Sequence, residues 1–559
     1  MRALHRPSLT SPLALAVYIA LAVFYLGVPI AGHPGRDVIG YLVDPQIFIW
    51  SVGWWPHAIL HGENPIVTHA IWAPEGVNLA WITSVPGLAL LAAPVTLLGG
   101  PVLSYNLLAI AMPALAAWTA FLLCRYVTHS FVPSLVGGYL FGFSPYLFGQ
   151  TEGHMHLTSV FLIPLVALVI LRYVHGLYTG RQLAVRLGIL LAFQIGFSTE
   201  VTLTLTTAVV VALVAAFLAV PSARARIRSL VVPLIGGYAI AGVLASPLLA
   251  YALLHFEHGS ISPPEGYPAD LLNLVVPTRL TWIGWHWTHR VSDAFAGNDS
   301  ENGAYLGLPV VVIALWFAWL YRRRAGARFL VLALLLGIVA ELGTSLHIRG
   351  HDYQVWLPWK ELAPLPAFNN VLPVRLSVFV GLAAAVAVAW WTASTRVPLL
   401  ARVVLPAAAV AAVVPSLWND VWHQQPPRAA FFTDRTYRAC LQPDDRLLFL
   451  PFPVWGDSML WQAESGYDFQ MADGFVSPKP PTLPDPDGAR MLLNNQPGSD
   501  WRPLVQLARD LGVTMIVVEG GHGSTWQSFL APLTKPTEIG GVYLFSLRPG
   551  GRSACTAGA

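Results

Sequence analysis

Charged residues are scarce in this chain. They make up 11% of its 559 residues, against about 25% in an ordinary soluble domain, while hydrophobic residues make up 55%. The formal net charge is only +3, which gives no electrostatic basis for binding nucleic acid. Apolar runs of about 17 or more residues recur through the first three quarters of the chain. This composition excludes an ordinary soluble protein and predicts a polytopic α-helical membrane protein.

Several motifs of well-known enzyme classes are missing as well. The chain has no Walker or Rossmann glycine pattern, no GxSxG, no HExxH and no EF-hand loop. It has three cysteines and no CxxC spacing, which leaves no zinc-type cysteine site. Cys124 is interpreted as an inert helix residue. Cys440 and Cys555 both fall in a part predicted to lie outside the cytosol, where disulfides persist, and whether they pair is left open.

What is present is a series of apolar segments. The sequence predicts about eleven transmembrane helices. They are at 12–30, 101–124, 131–148, 157–173, 184–199, 201–220, 230–256, 305–321, 329–347, 376–392 and 403–418. A further apolar segment, 85–98, contains Pro86 and Pro94 and is too short to cross about 30 Å of hydrocarbon. We predict that it is interfacial or re-entrant.

The placement of arginine supports this count. With a cytosolic N-terminus, the short cytosolic segments hold 15 arginines, and all 29 acidic residues fall outside the cytosol. Counting 85–98 as a full span would move "ARARIR" and "RRRAGAR" to the outside. The first span is interpreted as a retained helix and not as a cleaved signal peptide. Only three of the 32 basic residues are lysine, which is typical of a GC-rich bacterial genome. We therefore predict a multi-pass protein of the bacterial cytoplasmic membrane.

Two regions follow from this topology. Residues 1–420 are predicted to form a transmembrane domain with long outer loops at 31–100, 257–304 and 348–375. Residues 421–559 are predicted to form a soluble extracytoplasmic α/β domain. Within it, "RLLFLPFP", "VTMIVVEG" and "GGVYLFSLR" are typical of strands. The stretch 500–512 begins with Asp and ends with Gly, as a helix does.

Asp44 stands in the stretch "YLVDPQIFIW", just after the first apolar span. One interpretation is a helix N-cap, with Pro45 at the first position of an aromatic-rich helix that lies in the membrane interface. The other is a general base that this helix holds at the outer membrane surface. Asp37, Glu63 and Glu75 share the loop and are interpreted first as solvated charges. Asp37 is kept as a candidate for contact with substrate.

A second polar stretch, "QTEGHMHLTS" (150–159), joins two spans on the outer side. Its Glu152, His154 and His156 are either loop residues satisfied by water and backbone or contacts for substrate hydroxyls. A His-x-His pattern alone is a weak metal signature. No cofactor is therefore predicted, and a divalent metal is not favoured.

Arg375 lies at the outer end of a predicted span, against the positive-inside trend. A lone arginine there needs a partner. That partner is either a lipid phosphate, which suits its planar guanidinium, or headgroups reached by snorkelling. Arg349 is a weaker candidate for the same phosphate, and Glu341 is a candidate ion-pair partner for either arginine. The aromatic stretch "TWIGWHWTH" in the loop 257–304 is typical of an interfacial belt.

This layout resembles the type C integral-membrane glycosyltransferases, the GT-C superfamily. The local likeness lies in "DPQIFIW", "FSPYLFGQTEGHMHL" and "FNNVLPVRLSVF", which look like segments of actinobacterial members. The resemblance covers roughly residues 1–420, chiefly as topology. The C-terminal part resembles the accessory outer domains that many of these enzymes carry.

The resemblance implies transfer of a sugar from a polyprenyl-phosphate donor to a cell-envelope glycan, lipid or protein acceptor on the outer face. By this resemblance, Asp44 corresponds to the acid in the first outer loop of the family, which is the catalytic base. Arg375 corresponds to the family's basic residue near the end of the transmembrane domain, which holds the donor phosphate. One direct displacement would invert the anomeric centre. Many members have a second acid beside the first, whereas Pro45 and Gln46 follow here, which speaks against a metal-bound or two-carboxylate base.

Two other functions remain open from the sequence. One is a transporter or flippase of lipid-linked sugars, and the other is a non-catalytic scaffold for envelope assembly. The chain has no internal repeat and few ionisable residues inside its spans, which argues against ion transport. Because no second acid follows Asp44, a non-catalytic scaffold stays an alternative function.

Overall fold

Helices are the main elements of the structure, which is a computed structural model. It describes residues 10–41, 43–254, 264–284, 286–366, 368–418, 422–442, 444–476, 483–521, 523–548 and 555. Residues 257–263 of the predicted outer loop lie outside this set.

The helices of the described residues, in chain order, are α1 (Thr10–Ala22), α2 (Asp44–His61), α3 (Pro86–Thr128), α4 (Phe131–Gly142), α5 (Pro145–Thr151), α6 (Met155–Thr158), α7 (Leu162–Val174), α8 (Gly180–Phe197), α9 (Thr199–Ala219), α10 (Arg224–Arg228), α11 (Val231–Leu244), α12 (Ser246–Leu254), α13 (His286–Ser292), α14 (Leu308–Tyr321), α15 (Ala325–Glu341), α16 (Trp359–Leu362), α17 (Ser377–Thr392), α18 (Leu399–Ala412), α19 (Ala430–Thr433), α20 (Tyr437–Cys440), α21 (Ser458–Glu464), α22 (Pro486–Leu493), α23 (Arg502–Asp510) and α24 (Ser524–Leu530). The strands are β1 (Val38–Ile39), β2 (Val67–Thr68), β3 (Val77–Asn78), β4 (Ser345–Ile348), β5 (His351–Trp356), β6 (His423–Gln424), β7 (Arg446–Leu450), β8 (Gln470–Met471), β9 (Met515–Glu519), β10 (Thr537–Ile539) and β11 (Val542–Ser546).

The chain divides into two compact units. The first unit consists of Met1–Gly32, Leu107–Pro247 and His258–His423, and the second of His33–Asn106, Leu248–Glu257 and Gln424–Ala559. The first outer loop therefore belongs to the same unit as the C-terminal segment. That segment begins close to the boundary that the sequence predicts near residue 420.

Six helical stretches among the described residues are long and apolar enough to cross a membrane. They are Thr10–Ile30, Pro86–Thr128, Phe131–Thr151, Met155–Val174, Thr199–Ala219 and Pro373–Thr392. The number rises to seven if Pro221–Arg228 and Val231–Leu244, which are bent by 46°, form one span. Leu308–Tyr321 and Leu399–Ala412 are apolar but shorter. These lengths fit a polytopic membrane protein, and the predicted number of eleven spans stays a prediction.

Helix α17 lies at the core of the first unit. Most of its side chains are buried, and it packs against α4, α14 and α15. Glycine in α4 permits close contact, because a Cβ at Gly137 would lie 3.0 Å from the carbonyl oxygen of Ala385. Close approach of backbones through small residues is common between helices in lipid.

Helix α3 is interrupted at Gly100. This residue has φ 86° and ψ 166°, a conformation that only glycine adopts easily. The hydroxyl of Thr96 donates to the hydroxyl of Ser104 at 2.8 Å across the break. The break lies between the short segment 85–98 and the span 101–124 that the sequence distinguishes. Whether the short segment re-enters the membrane stays a prediction.

The second unit contains a mixed sheet with the described strands in the order β10-β11-β9-β7-β8. Strand β7 is parallel to β8 and β9, whereas β11 is antiparallel to β9 and β10. The strands β7, β9 and β11 lie where the sequence predicts strands, and they are largely buried. Helix α23 lies within the predicted helix 500–512, and Gly512 follows it with φ 68°.

Helix α2 is buried on most of its surface. The side chains of Trp50 and Trp54 are 0% and 2% exposed. Helix α21 and the residue before it cover one side, because Gln46 Nε2 donates to Asp457 Oδ1 at 2.6 Å and Trp50 Nε1 donates to Gln462 Oε1 at 2.7 Å. Much of the surface of helix α2 therefore faces protein, and its position at the membrane interface stays a prediction. Aromatic density in a sequence does not distinguish a surface that faces lipid from one that faces protein.

The first outer loop also pairs with the edge of the sheet. The backbone N–H of Met471 in strand β8 donates to the carbonyl of Ala70, and the N–H of Ala73 donates to the carbonyl of Met471, both at 2.9 Å. An exposed sheet edge would otherwise be open to pairing with other chains. The loop is thus part of the fold of this unit.

A disulfide joins Cys440 and Cys555, the pairing that the sequence leaves open. The two residues are 115 positions apart. A bridge over so long a loop restricts the unfolded chain strongly. Cys124 is a buried free thiol in helix α3.

We predict that Gly100→Ala lowers the thermal stability of the protein, measured by its unfolding temperature in detergent. The substitution forces an L-residue into a strained conformation that costs about 1–3 kcal/mol. Gly242→Ala in helix α11 is the matched control. Neither glycine has a neighbour within 4 Å of an added Cβ, and only Gly100 has a positive φ. Similar unfolding temperatures for the two variants would contradict the strained break.

Candidate active site

Arg375 is the centre of a buried polar cluster in the first unit. It lies in the 3₁₀ turn Pro373–Leu376 at the head of helix α17, and its side chain is 13% exposed. Its Nε donates to both carboxylate oxygens of Glu301 at 3.1 Å, and its Nη2 donates to Glu301 Oε1 at 2.5 Å. Its Nη1 donates to the two oxygens of Glu200 at 2.9 and 2.8 Å. We call Arg375, Glu200 and Glu301 the charge triad.

Local structure places both carboxylates. Glu200 lies in the first turn of helix α9, which Ser198 caps by accepting a hydrogen bond from the N–H of Val201 at 3.1 Å. A negative charge at a helix N-terminus is favourable to the helix dipole. Glu301 lies in the loop before α14, and its backbone N–H donates to Asn298 Oδ1 at 3.1 Å. Each carboxylate is therefore fixed from its own segment.

Three side chains from the stretch 150–156 lie against the charge triad. Gln150 Nε2 donates to Glu301 Oε2 at 3.2 Å, and Gln150 Oε1 accepts from His154 Nδ1 at 2.8 Å. His154 Nδ1 also lies 3.9 Å from Glu301 Oε1, and His156 Nε2 lies 3.8 Å from Glu200 Oε2. The structure thus brings together Arg375, His154 and His156, which the sequence singled out separately.

The charge triad carries one positive and two negative charges. Burial alone would raise the pKa of Glu301, but the charge and the hydrogen bonds of Arg375 outweigh it, so the pKa lies below its ordinary value. Glu301 is therefore ionised at neutral pH. The guanidinium has five N–H groups, and the second hydrogen on Nη2 is not used in the bonds to the two carboxylates.

The partners of Arg375 differ from those that the sequence suggests. Protein carboxylates take most of its donors, and the side chain is mostly buried and points to these carboxylates. Glu341 is not its partner: it is 0% exposed, and its carboxylate oxygens accept no hydrogen bond from the described residues. The actual partners, Glu200 and Glu301, are 175 and 74 positions away in sequence, beyond the reach of a local pattern.

Arg349 lies in the turn between strands β4 and β5. It is exposed and has φ 53°. The next residue, Gly350, donates its N–H to Asp270 Oδ2 at 2.7 Å, and Asp270 is only 2% exposed. Asp270 therefore holds the hairpin. No contact between Arg349 and the charge triad is recorded within the described residues.

Glu152 lies at the end of helix α5, two residues after Gln150. Its Oε1 accepts no hydrogen bond from the described part of the chain. Burial, and then the charge of Asp299, raise the pKa of Glu152 to about 8, although Arg279 acts in the opposite direction. Arg279 Nε itself lies 2.9 Å from Asp299 Oδ2. Glu152 is therefore mostly protonated at neutral pH.

Asp44 and Asp37 belong to the second unit. Asp44 is the first residue of helix α2, and Val43 occupies the N-cap position, so the expected cap is displaced by one residue. Asp37 is 7% exposed, and its Oδ2 lies 3.9 Å from His33 Nδ1. The interpretation of Asp37 as a solvated charge is therefore wrong. Its backbone carbonyl also accepts a hydrogen bond from Asn106 Nδ2 at 2.7 Å, which fixes the backbone at this position.

The sequence pointed to neither carboxylate of the charge triad. Glu200 stands alone at the junction of two predicted spans, and an ionisable residue in such a place is a signal of function. Glu301 lies in a loop with several other acids, and nothing local distinguishes it. Within the described residues, no group of three or more His, Cys, Asp or Glu could hold a metal ion.

Comparison with known proteins places this chain in a family. Residues 16–410 match the family model DUF6311, which is described as a domain of unknown function. The chain belongs to the DUF6311 family. No curated protein sequence matches it significantly.

Solved structures show which fold this DUF6311 chain has. The apo oligosaccharyltransferase of Archaeoglobus fulgidus is 12% identical with a TM-score of 0.51, and the match covers 91% of this chain and 69% of that one. Arabinofuranosyltransferase AftD from Mycobacteria is 16% identical with a TM-score of 0.55, over 97% of this chain and 40% of that one. Apo ArnT from Cupriavidus metallidurans is 12% identical with a TM-score of 0.51, over 95% and 96%. The chain therefore has the GT-C fold, as predicted.

Replacing Arg375 with Met should destabilise the protein strongly. The change leaves two carboxylates without their cation, and breaking a buried ion pair costs about 3–5 kcal/mol. Arg279→Met is the matched control, because Arg279 also has two acidic partners but is 49% exposed, and surface pairs contribute at most about 1 kcal/mol. The unfolding temperatures of both variants are compared in one detergent. Equal losses would refute the buried charge triad.

Glu152→Gln should stabilise the protein relative to wild type as the pH rises. The folded pKa of about 8 lies above the unfolded value of about 4.3, so the contribution of Glu152 is complete below about pH 4.3 and is lost as the pH rises through about 8. Glutamine does not ionise, so the difference in unfolding temperature should grow between about pH 5 and about pH 9. Glu265→Gln, at an exposed position, is the control. A constant difference would show that Glu152 is not protonated in the folded state.

Proposed function

We propose that this protein is a glycosyltransferase of the bacterial cytoplasmic membrane. It moves a sugar from a polyprenyl-phosphate donor to a cell-envelope glycan, lipid or protein acceptor on the outer face, with its N-terminus in the cytosol. The observation that carries the proposal is the GT-C fold over nearly the whole chain. Two of the similar structures are named as an oligosaccharyltransferase and an arabinofuranosyltransferase.

In this proposal Asp44 is the catalytic base. Its helix is anchored two residues later, where Gln46 donates to Asp457 and accepts from the N–H of Leu460 at 3.3 Å. Asp44 takes the proton of the acceptor hydroxyl as that oxygen attacks the anomeric carbon. The bond between the anomeric carbon and the phosphate oxygen breaks, and polyprenyl phosphate leaves with the electron pair. A single displacement of this kind inverts the anomeric centre.

The leaving phosphate needs preorganised positive charge. We assign this role to Arg375, with exposed Arg349 as the second candidate. In this proposal His154 and His156, which lie next to the charge triad, and protonated Glu152 supply hydrogen bonds for sugar hydroxyls. Asp37, in the same loop as Asp44, is the remaining candidate for contact with substrate. These roles need no cofactor or metal.

We predict that Asp44→Asn lowers transfer from polyprenyl-phosphate sugars by about 100-fold or more, because an amide cannot accept the proton. The purified protein is supplied with polyprenyl-phosphate arabinose or mannose and cell-envelope acceptors, and glycosylated product is measured. Glu75→Gln is the matched control, since Glu75 is an exposed carboxylate of the same loop. The unfolding temperature of Asp44→Asn should stay close to that of wild type.

Other outcomes lead to other functions. Transfer that survives Asp44→Asn removes Asp44 as the base. Donor binding by wild type without transfer to any acceptor favours the scaffold, whereas movement of the intact donor across the bilayer favours a flippase.

A further inference from the structure

A cleft of about 380 Å³ lies in the second unit, between the first outer loop and the C-terminal segment. Its volume is within the range of about 300–1,000 Å³ that is usual for ligand sites. The described residues that line it are Glu63, Asn64, Val67, His69, Ala70, Tyr467, Phe469 and Gln470.

The walls of this cleft are fixed by hydrogen bonds. Gln462 is 0% exposed, and its Nε2 donates to the carbonyls of Ala70 and Phe469 at 2.7 and 2.9 Å, which joins the two sides. On the loop side, Asn64 Oδ1 accepts from the N–H of Ile66 at 2.9 Å. The cleft is therefore formed before any ligand arrives, which lowers the entropic cost of binding.

Tyr467 forms one wall in a strained conformation. Its φ is 61°, in the left-handed region that bulky residues avoid. The surroundings impose this conformation, because the hydroxyl donates to the carbonyl of Trp50 at 2.6 Å and the ring packs edge-on against Trp54, with centroids 5.3 Å apart. Strain of this kind is concentrated at functional sites.

The polar groups of the cleft have capacity for a ligand. Glu63 and Gln470 are exposed, and their side chains make no recorded hydrogen bond with the described residues. His69 Nδ1 donates to the carbonyl of Pro74 at 2.9 Å, so its Nε2 is an acceptor when the ring is neutral. The cleft therefore offers a carboxylate, an amide and an imidazole beside an aromatic ring.

These groups identify the chemistry of the ligand. None of the eight lining residues is lysine or arginine, so an anionic phosphate is disfavoured, and the mixed polar lining does not suit a lipid chain. Sugar hydroxyls both donate and accept hydrogen bonds, and the C–H face of a sugar ring packs on an aromatic side chain. We propose that the cleft binds a neutral oligosaccharide. This inference rests on the proposed function: the ligand is the part of the acceptor that lies away from the reacting hydroxyl.

The position of the cleft along helix α2 sets the size of that acceptor. Trp50, which Tyr467 contacts, is six residues after Asp44, or about 9 Å along the helix. Glu63 follows the end of the helix, which is about 27 Å long. A ligand that reaches from Asp44 to the cleft is longer than one sugar ring. The acceptor is therefore a glycan chain and not a single sugar.

The test is binding to the full-length protein in nanodiscs without donor. Linear arabinofuranose and mannose oligosaccharides, from the monosaccharide to the hexasaccharide, are titrated by calorimetry. A hexasaccharide should bind at least tenfold more tightly than the monosaccharide, and Glu63→Gln, Gln470→Ala and Tyr467→Asn should each remove most of that gain. Asn tolerates the left-handed conformation, so Tyr467→Asn removes the ring without adding strain. Gln506→Ala, at an exposed glutamine of helix α23, is the matched control and should bind as wild type does.

Two results would overturn the proposal that the cleft binds an oligosaccharide. One is equal affinity for short and long oligosaccharides in the wild type, and the other is unchanged hexasaccharide affinity in all three cleft variants. Transfer activity is then measured on the same preparations. Length-dependent binding without any transfer would support oligosaccharide binding in the cleft and contradict the proposed function. Transfer without length-dependent binding would contradict oligosaccharide binding in the cleft and leave the proposed function standing.

Discussion

A guanidinium buried at the end of an apolar helix bundle has to be matched by carboxylates, because an unpaired charge there is too costly. Arg375 meets this requirement with Glu200 and Glu301. The three residues come from the head of α17, the first turn of α9 and the loop before α14, so one ion cluster fixes the ends of separate segments relative to each other. Gln150, in the last turn of α5, and His154, just after it, connect this part of the chain to the same cluster. Arg375, His154 and His156, the candidate site residues of the first unit, therefore lie around one ion cluster.

The second unit shows that the C-terminal segment is not a simple appendage. Residues 33–106 fold with residues 424–559, and the first outer loop lies along the edge of the sheet while helix α2 packs beneath α21. The residue that we propose as the base is therefore carried by a helix that the C-terminal segment anchors. This arrangement gives the segment a role in positioning Asp44. It also creates the cleft in which Tyr467 is held.

Local patterns predicted much of the fold. The length of apolar runs marked helices such as α7 and α9, and buried apolar runs marked strands β7, β9 and β11. Local patterns do not predict which distant residues pair. Gln46 and Asp457 are 411 positions apart, and Glu200 and Arg375 are 175 apart. For this reason Arg375, His154 and His156 were recognised as candidates, whereas the carboxylates that join them were not. The protein cover of helix α2 was missed for the same reason, because Asp457 and Gln462 lie more than 400 positions from the helix residues that they bind.

We propose that the protein transfers sugar and does not move lipid. The most direct measurement uses sealed proteoliposomes that contain the wild-type protein and a polyprenyl-phosphate sugar labelled in the sugar, with an acceptor glycan on one side only. We predict that label passes to the acceptor while polyprenyl phosphate is released in equal amount. Intact labelled lipid that appears in the opposite leaflet, with no labelled acceptor, would contradict it.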